Sequence, residues 1–375
     1  MTEIALVVKV TDQCNLYCSY CYYYAGSANS LRTRKHSDLQ GKLDKFVDRL
    51  RESKTVAEAD TVMIVLHGGE PLLASRPVIE RFVKAAQEVL GERAQFSVQT
   101  NGVLLDDAWI DSLIAHNVSI GFSIDGPAEY HDEYRVDAKG KGTHAKTLKA
   151  FERTKEKNKL NNRPPPGVLA VYNPRISAEA YFNHFIHELG ATGYDVLFPD
   201  DLERFEDKEG LISSYRTFVS ETWKIWLRNN NPKVTVRFIN RALSSVQNNR
   251  CFVFDPDYQR VLVVDMNGDL FFEDNLRTMV DFKDLKIGSW LNDPLDNTFA
   301  VASRLMDKVK EYPEICRSCE WFDACKGGMY SARLDPQTNT YGHSYLCETY
   351  KEGFTQAKGL LDRARRRLQE RAAVA

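Results

Sequence analysis

The sequence predicts an α/β fold with a parallel sheet, and three observations predict it. Six short apolar runs recur along the first part of the chain, stretches with helical periodicity lie between them, and the two kinds alternate. Alternating runs bounded by polar residues read as strands, and apolar residues at 3.6-residue spacing read as helix faces. Strands that alternate with helices pair in parallel through right-handed crossovers.

The strands are expected at IALVVKV (4–10), TVMIVLH (61–67), QFSVQ (95–99), SIGFSID (119–125), GVLAVYN (167–173) and YDVLFP (194–199). Helices are expected over 38–54, 76–90, 107–116, 144–157 and 178–189. NKLNNRPPPG (158–167) reads as a surface loop before the fifth strand. Residues 210–229 and 238–249 also read as helices. A second region starts near Cys251, where FVFDPDYQRVLVVDMNGDLFFEDN reads as a hairpin turning at Asn267–Gly268. The tail from Glu348 is helical, and its RARRR run reads as a solvated face near a helix C-terminus, where cations are favoured.

The 375 residues suffice for one large domain or two ordinary ones. A net charge of -2 gives no field that favours nucleic acid or an anionic membrane, and no apolar run is long enough for a bilayer span. MTEIALVVKV has an early acidic residue and no small-residue cleavage site, so a cytoplasmic protein is expected. There, cysteines serve as metal ligands or catalysts more often than as disulfides.

Three of the eight cysteines, Cys14, Cys18 and Cys21, follow the first strand as C-x3-C-x2-C, and the next is Cys251. Three thiolates on one loop can bind three corners of a four-iron cluster and leave the fourth iron open to a small molecule. The residues also allow a zinc loop completed by a distant His or Cys. Tyr20 and Tyr22 to Tyr24 would shield a cluster and give a purine a stacking surface. A second set, Cys316, Cys319, Cys325 and Cys347, has the make-up of a closed site, for a cluster or a structural zinc.

The triplet after a first strand, with Tyr20 before its last cysteine, resembles the radical S-adenosylmethionine (SAM) family. HGGEPLL (67–73) resembles that family's GGEP motif, placed at the end of the second strand. The resemblance covers residues 4 to about 200 and implies a partial (β/α)6 barrel, with active-site loops at the C-terminal strand ends. It implies reductive cleavage of SAM at a [4Fe-4S] cluster, and hydrogen abstraction by the resulting 5'-deoxyadenosyl radical. Gly68, Gly69 and Glu70 would hold the methionine amino group, with the glycines letting backbone approach the ligand. Ser123 would meet the ribose or carboxylate region, and Arg135 the methionine carboxylate. Taken alone, Arg135 equally suits a surface ion pair with Asp132 or Glu133. Asn101 and Asp125 suit support of these groups or turn hydrogen bonds.

The later cysteines resemble the SPASM extension of radical SAM enzymes, but only in part. Two positions where that pattern places ligands of a first auxiliary cluster are Glu273 and Met329 here. One auxiliary [4Fe-4S] cluster is therefore expected, on Cys316, Cys319, Cys325 and Cys347, with Cys251 a small buried residue. By resemblance to sulfatase-maturing members, Asp274 would be the catalytic proton acceptor; its residue type also suits a turn or cap. The chain thus divides into a barrel (1–210), a helical connector (211–250), a SPASM-like domain (251–350) and a C-terminal helix (351–375).

Overall similarity in VVKVTDQCNLYCSYCYYY, GVLAVYNP and YDVLFPDD points to members that form cyclophanes in ribosomal peptides. The expected substrate is a precursor peptide, cross-linked between carbons. The alternatives are sulfatase-type oxidation of a protein Ser or Cys, and oxidation of a sugar-like molecule. A flavodoxin- or ferredoxin-type reductant is implied. Strand one starts almost at Met1, so leader recognition is expected to need a partner protein, the SPASM region or no leader.

Overall fold

The computed structural model describes residues 3–199, 202, 205–251, 259–273, 275–335 and 337–374. Six parallel strands run in sequence order: β1 (Glu3–Thr11), β2 (Thr61–Gly68), β3 (Ala94–Thr100), β4 (Val118–Ser123), β5 (Gly167–Val171) and β6 (Gly193–Leu197). Each begins within a residue of its expected place. The sheet is an open α/β layer, a partial barrel in which, among the described residues, no pair joins the two edge strands.

Four more strands extend it. The short β7 (Thr235–Val236) follows β6, and on the other side β1 pairs in parallel with β8 (Gln259–Asp265). Beyond β8 come β9 (Asp269–Phe271) and β10 (Lys286–Ser289), both antiparallel. The hairpin turn forms at Asn267–Gly268, with Asp265 Oδ1 accepting from the amides of Asn267 and Asp269, each at 2.9 Å. The second region is therefore no separate layer: its hairpin completes the same sheet.

The outward face of β1 is Ile4, Leu6, Val8 and Val10, all fully buried. Its neighbours in register are Val62, Ile64 and Leu66 on β2 and Leu262 and Val264 on β8. Phe46 and Leu50 of helix Leu39–Glu52, and Phe82 and Ala86 of helix Arg76–Leu90, cover this face. Trp290, fully buried, packs on Phe46 at 5.5 Å between ring centroids and donates to the Asp265 carbonyl at 2.9 Å. Arg49 of the same first helix donates to the Trp290 carbonyl, also at 2.9 Å.

One expected helix is different. Over 178–189 an α turn (Ala178–Phe182) passes into a wider π turn (Asn183–Glu188). The extra residue per turn sets His184 inward, against His144 at 3.4 Å.

Candidate active site

The C-terminal ends of β1 to β6 open into a cavity of about 390 Å³. Cys14, Cys18 and Cys21 line one side of it, Gly68 to Glu70, Asn101 and Ser123 the next, and Asp125 and Arg135 the floor beyond. Every SAM-contact residue expected from the sequence, Tyr20 included, faces this one space.

The cysteine loop is held by what precedes and follows it. Asp12 is buried and accepts from the hydroxyl of Tyr23, while Tyr24 donates to its carbonyl at 2.6 Å. His36 and Arg34 lie 3.2 and 3.4 Å from the same carboxylate. Burial pushes the Asp12 carboxyl up, but hydrogen bonds from His36 and Tyr23 and these neighbouring charges outweigh it and hold it below the ordinary range. Leu16 donates its amide to Cys14 Sγ at 3.3 Å. Burial raises the thiols of Cys14 and Cys18, to about 12 and about 11, so iron must displace their protons on binding.

The glycines of HGGEP serve the protein before any ligand. A Cβ on Gly68, where φ is +135°, would sit 2.1 Å from the Thr11 carbonyl oxygen; one on Gly69 would sit 2.2 Å from that of Gln13. The amides of Gly69 and Glu70 donate to those two carbonyls, each at 2.9 Å, stitching β2 to the start of the cysteine loop. Glu70 is buried and accepts from Thr100 Oγ1, the Asn101 amide and the Leu72 amide at 2.7, 2.9 and 3.1 Å. Burial outweighs these donors and raises its carboxyl to about 7.

Asn101 anchors the loop from the third strand, donating to Asn15 Oδ1 at 2.8 Å and taking the Val103 amide at 3.0 Å. Ser123 accepts from Gln99 Nε2 at 2.9 Å. Arg135 pairs with neither Asp132 nor Glu133. Its fork closes on Asp125, Nε to Oδ2 at 2.7 Å and Nη2 to Oδ1 at 3.2 Å. Asp132 instead caps the His144 amide, and Glu133 pairs with Arg175. Asp125 is the residue whose weight the sequence hides: it also accepts from the Tyr20 hydroxyl and, at 3.0 Å, from the Val171 amide. Beneath it His131, fully buried, is pushed down to about 3 by burial, then by Arg135, so Asp125 is balanced by one cation.

Cys316, Cys319, Cys325 and Cys347 line a second, small cavity with Trp321, Tyr350 and Phe354. Cys251 is buried beside it and donates to the Cys325 carbonyl at 3.2 Å. Glu273 accepts from the Tyr330 hydroxyl at 2.6 Å, and Met329 packs on the main core. Phe272, Leu276, Met306, Val309 and Tyr330 form an apolar cluster next to Glu273. Asp274 lies outside the described residues. Among those residues, no three Cys, His, Asp or Glu side chains converge as a single-ion site requires, and no helix is long and apolar enough to cross a membrane. Cys14, Cys18 and Cys21 line the first cavity and Cys316, Cys319, Cys325 and Cys347 the second, and all-thiol donor sets of this kind suit an iron–sulfur cluster.

Residues 8–163 match the Radical SAM superfamily. The chain is 25% identical to the serine-type anaerobic sulfatase-maturating enzyme of Bacteroides thetaiotaomicron, across 99% of this chain and 93% of that one. It is also 25% identical to the cysteine-type enzyme of Clostridium perfringens, across 95% and 97%. Among solved structures, native anSMEcpe with bound AdoMet superimposes with a TM-score of 0.77 at 23% identity, covering 97% of this chain and all of that one, which shows the shared fold. Residues 8–163 are a radical SAM domain, and the chain that carries it is an enzyme whose cofactors are a [4Fe-4S] cluster and S-adenosylmethionine.

Proposed function

We propose that this enzyme oxidises a Ser or Cys side chain of a polypeptide. One observation carries the reading: the likeness to serine-type and cysteine-type sulfatase-maturating enzymes runs the length of the chain, beyond the barrel. It supports oxidation over the cyclophane cross-link, which has no observation of its own.

In this reading Cys14, Cys18 and Cys21 hold the first cluster. Glu70, with the Gly68 and Gly69 carbonyls, takes the methionine amino group, and Ser123 the ribose or carboxylate region. Arg135 offers the methionine carboxylate whatever donors Asp125 leaves free, and Tyr20 shields the cluster. Together, cluster and SAM supply the one-electron chemistry that removes a hydrogen atom from substrate. Cys316, Cys319, Cys325 and Cys347 hold one auxiliary cluster, suited to accept the second electron, and Asp274 takes the proton. A flavodoxin- or ferredoxin-type reductant, a cytoplasmic location and the four-part division of the chain complete the proposal.

The test is anaerobic incubation of reconstituted enzyme with SAM, reductant and a sulfatase-derived serine peptide. The peptide should lose two hydrogens; brisk SAM cleavage beside an unchanged peptide mass sinks the reading. Iron analysis should give about eight atoms per chain, falling to about four in Cys316→Ala. About four in the unaltered protein would remove the auxiliary cluster.

Glu70 sets a pH dependence. A bound ammonium needs the carboxylate, yet without ligand this group stays protonated up to about 7. SAM affinity should therefore fall roughly tenfold per pH unit below that value, and Glu70→Gln should flatten the profile. Calorimetric titration across that range measures both.

A further inference from the structure

Beside Gly121 in β4 and the first residues of β5 and β6 lies a second recess, of about 560 Å³. Gln99 and Leu169 line both this recess and the SAM cavity, so the two share a wall. The space exists because three neighbouring strands present glycine to it: Gly121, Gly167 and Gly193. A closed barrel fills such layers with branched side chains. Glycine within a strand weakens it and marks a place where another group comes close.

The recess is charged unevenly. Helix Arg237–Asn248 turns Arg237 and Arg241, one turn apart, toward it. Arg237 Nε is engaged by Asp195 at 2.6 Å, a carboxylate whose side chain is 6% exposed. Among the described residues Arg241 has no hydrogen-bond or ion-pair partner. Burial, then the charge of Arg237, lowers its pKa, against the pull of Asp195. Among the residues lining the recess two guanidiniums face one carboxylate, an excess of one positive charge.

We propose that this recess is a carboxylate-binding subsite, with Arg241 as the receiving group. A guanidinium offers a carboxylate two parallel donors. A doubly charged phosphate would bring excess negative charge against Asp195, so the balance selects a monoanion. The inference rests on the reading above, in which the substrate is a polypeptide: an acidic side chain or chain end seated here lies one wall away from the SAM cavity.

The test uses the full-length protein with neither SAM nor reductant, so it stands apart from catalysis. Fluorescein-labelled Gly-Glu-Gly amide is titrated by anisotropy, beside its Gly-Gln-Gly counterpart and inorganic phosphate as competitor. The glutamate peptide should bind, the glutamine peptide should bind at least about tenfold more weakly, and Arg241→Gln should cost about tenfold to a hundredfold. Gly167→Leu, which leaves Arg241 intact and fills the recess, should block binding as well; a Cβ at Gly167 meets nothing nearer than 4.0 Å. Equal binding of the two peptides, or unchanged binding in both variants, overturns the proposal. Phosphate outcompeting the peptide overturns the carboxylate assignment. Failure of the enzyme to oxidise any peptide, with carboxylate binding intact, would count against the proposed reaction and leave the subsite standing.

Discussion

Asp125→Ala should destabilise the protein by about 3–5 kcal/mol, the range for leaving a buried charge without its partner. Asp125 is 4% exposed, and the side chain of Arg135 is 11% exposed. Truncation strands the guanidinium, the Val171 amide and the Tyr20 hydroxyl together. Asp125→Asn should cost less, because an amide oxygen still accepts from Val171. Chemical denaturation midpoints separate the three proteins. Burial pushes the Asp125 carboxyl up, but Arg135 and the hydrogen bonds from Arg135 and Tyr20 outweigh it and hold it below 3.8. A lowered native pKa gives stability that is complete above the unfolded value and lost as pH falls through the native one. The gap between wild type and Asp125→Ala should thus be widest near neutrality and close in acid. A gap that stays constant from neutrality into acid would assign the loss to packing. SAM cleavage should drop too, since Tyr20 and Arg135 lose their common anchor.

Cys18→Ala should remove reductive SAM cleavage altogether while leaving the fold intact. In the proposed assignment three thiolates hold three irons, and no fourth cysteine lies on this loop to stand in. Cys18 is half-buried at the cavity wall, so losing its thiol leaves only a small void. Iron should fall by about one cluster, and 5'-deoxyadenosine should vanish from the products. Cys251→Ala is the contrast. Cys251 sits beside the other thiol set, donating to the Cys325 carbonyl, and the variant should keep both SAM cleavage and iron. Persistent 5'-deoxyadenosine in Cys18→Ala contradicts the assignment of the triplet.

The six core strands were legible because each alternates apolar and polar residues and is bounded by turn residues. The pairing of β8 with β1 was not. Gln259–Asp265 has the local pattern of a hairpin strand, and nothing in it names a partner at Glu3–Lys9. Strands β7 and β10 are too short to leave a period. Within the site, the cysteine spacing and the resemblance of HGGEPLL to a family motif pointed to residues that the structure gathers at one cavity. Asp125 was obscured by Gly126 and Pro127, which make its segment read as a turn. Its work depends on Arg135 and Val171 arriving from elsewhere, and local sequence does not encode that meeting. Gly68 and Gly69 were found for an incomplete reason: the carbonyls of Thr11 and Gln13 already forbid a side chain there.

The strand beside β1 on its outer flank is synthesised late. Until Gln259–Asp265 emerges from the ribosome, β1 carries a bare row of amide and carbonyl groups next to a greasy stripe, an invitation to aggregate. The loop from Cys14 to Tyr24 rests on Val263 and Phe271, which come from the same late segment. A nascent or truncated chain ending before Gln259 therefore lacks the bed on which its cysteine loop lies, and with the proposed ligand set metal loading belongs after translation has passed that point.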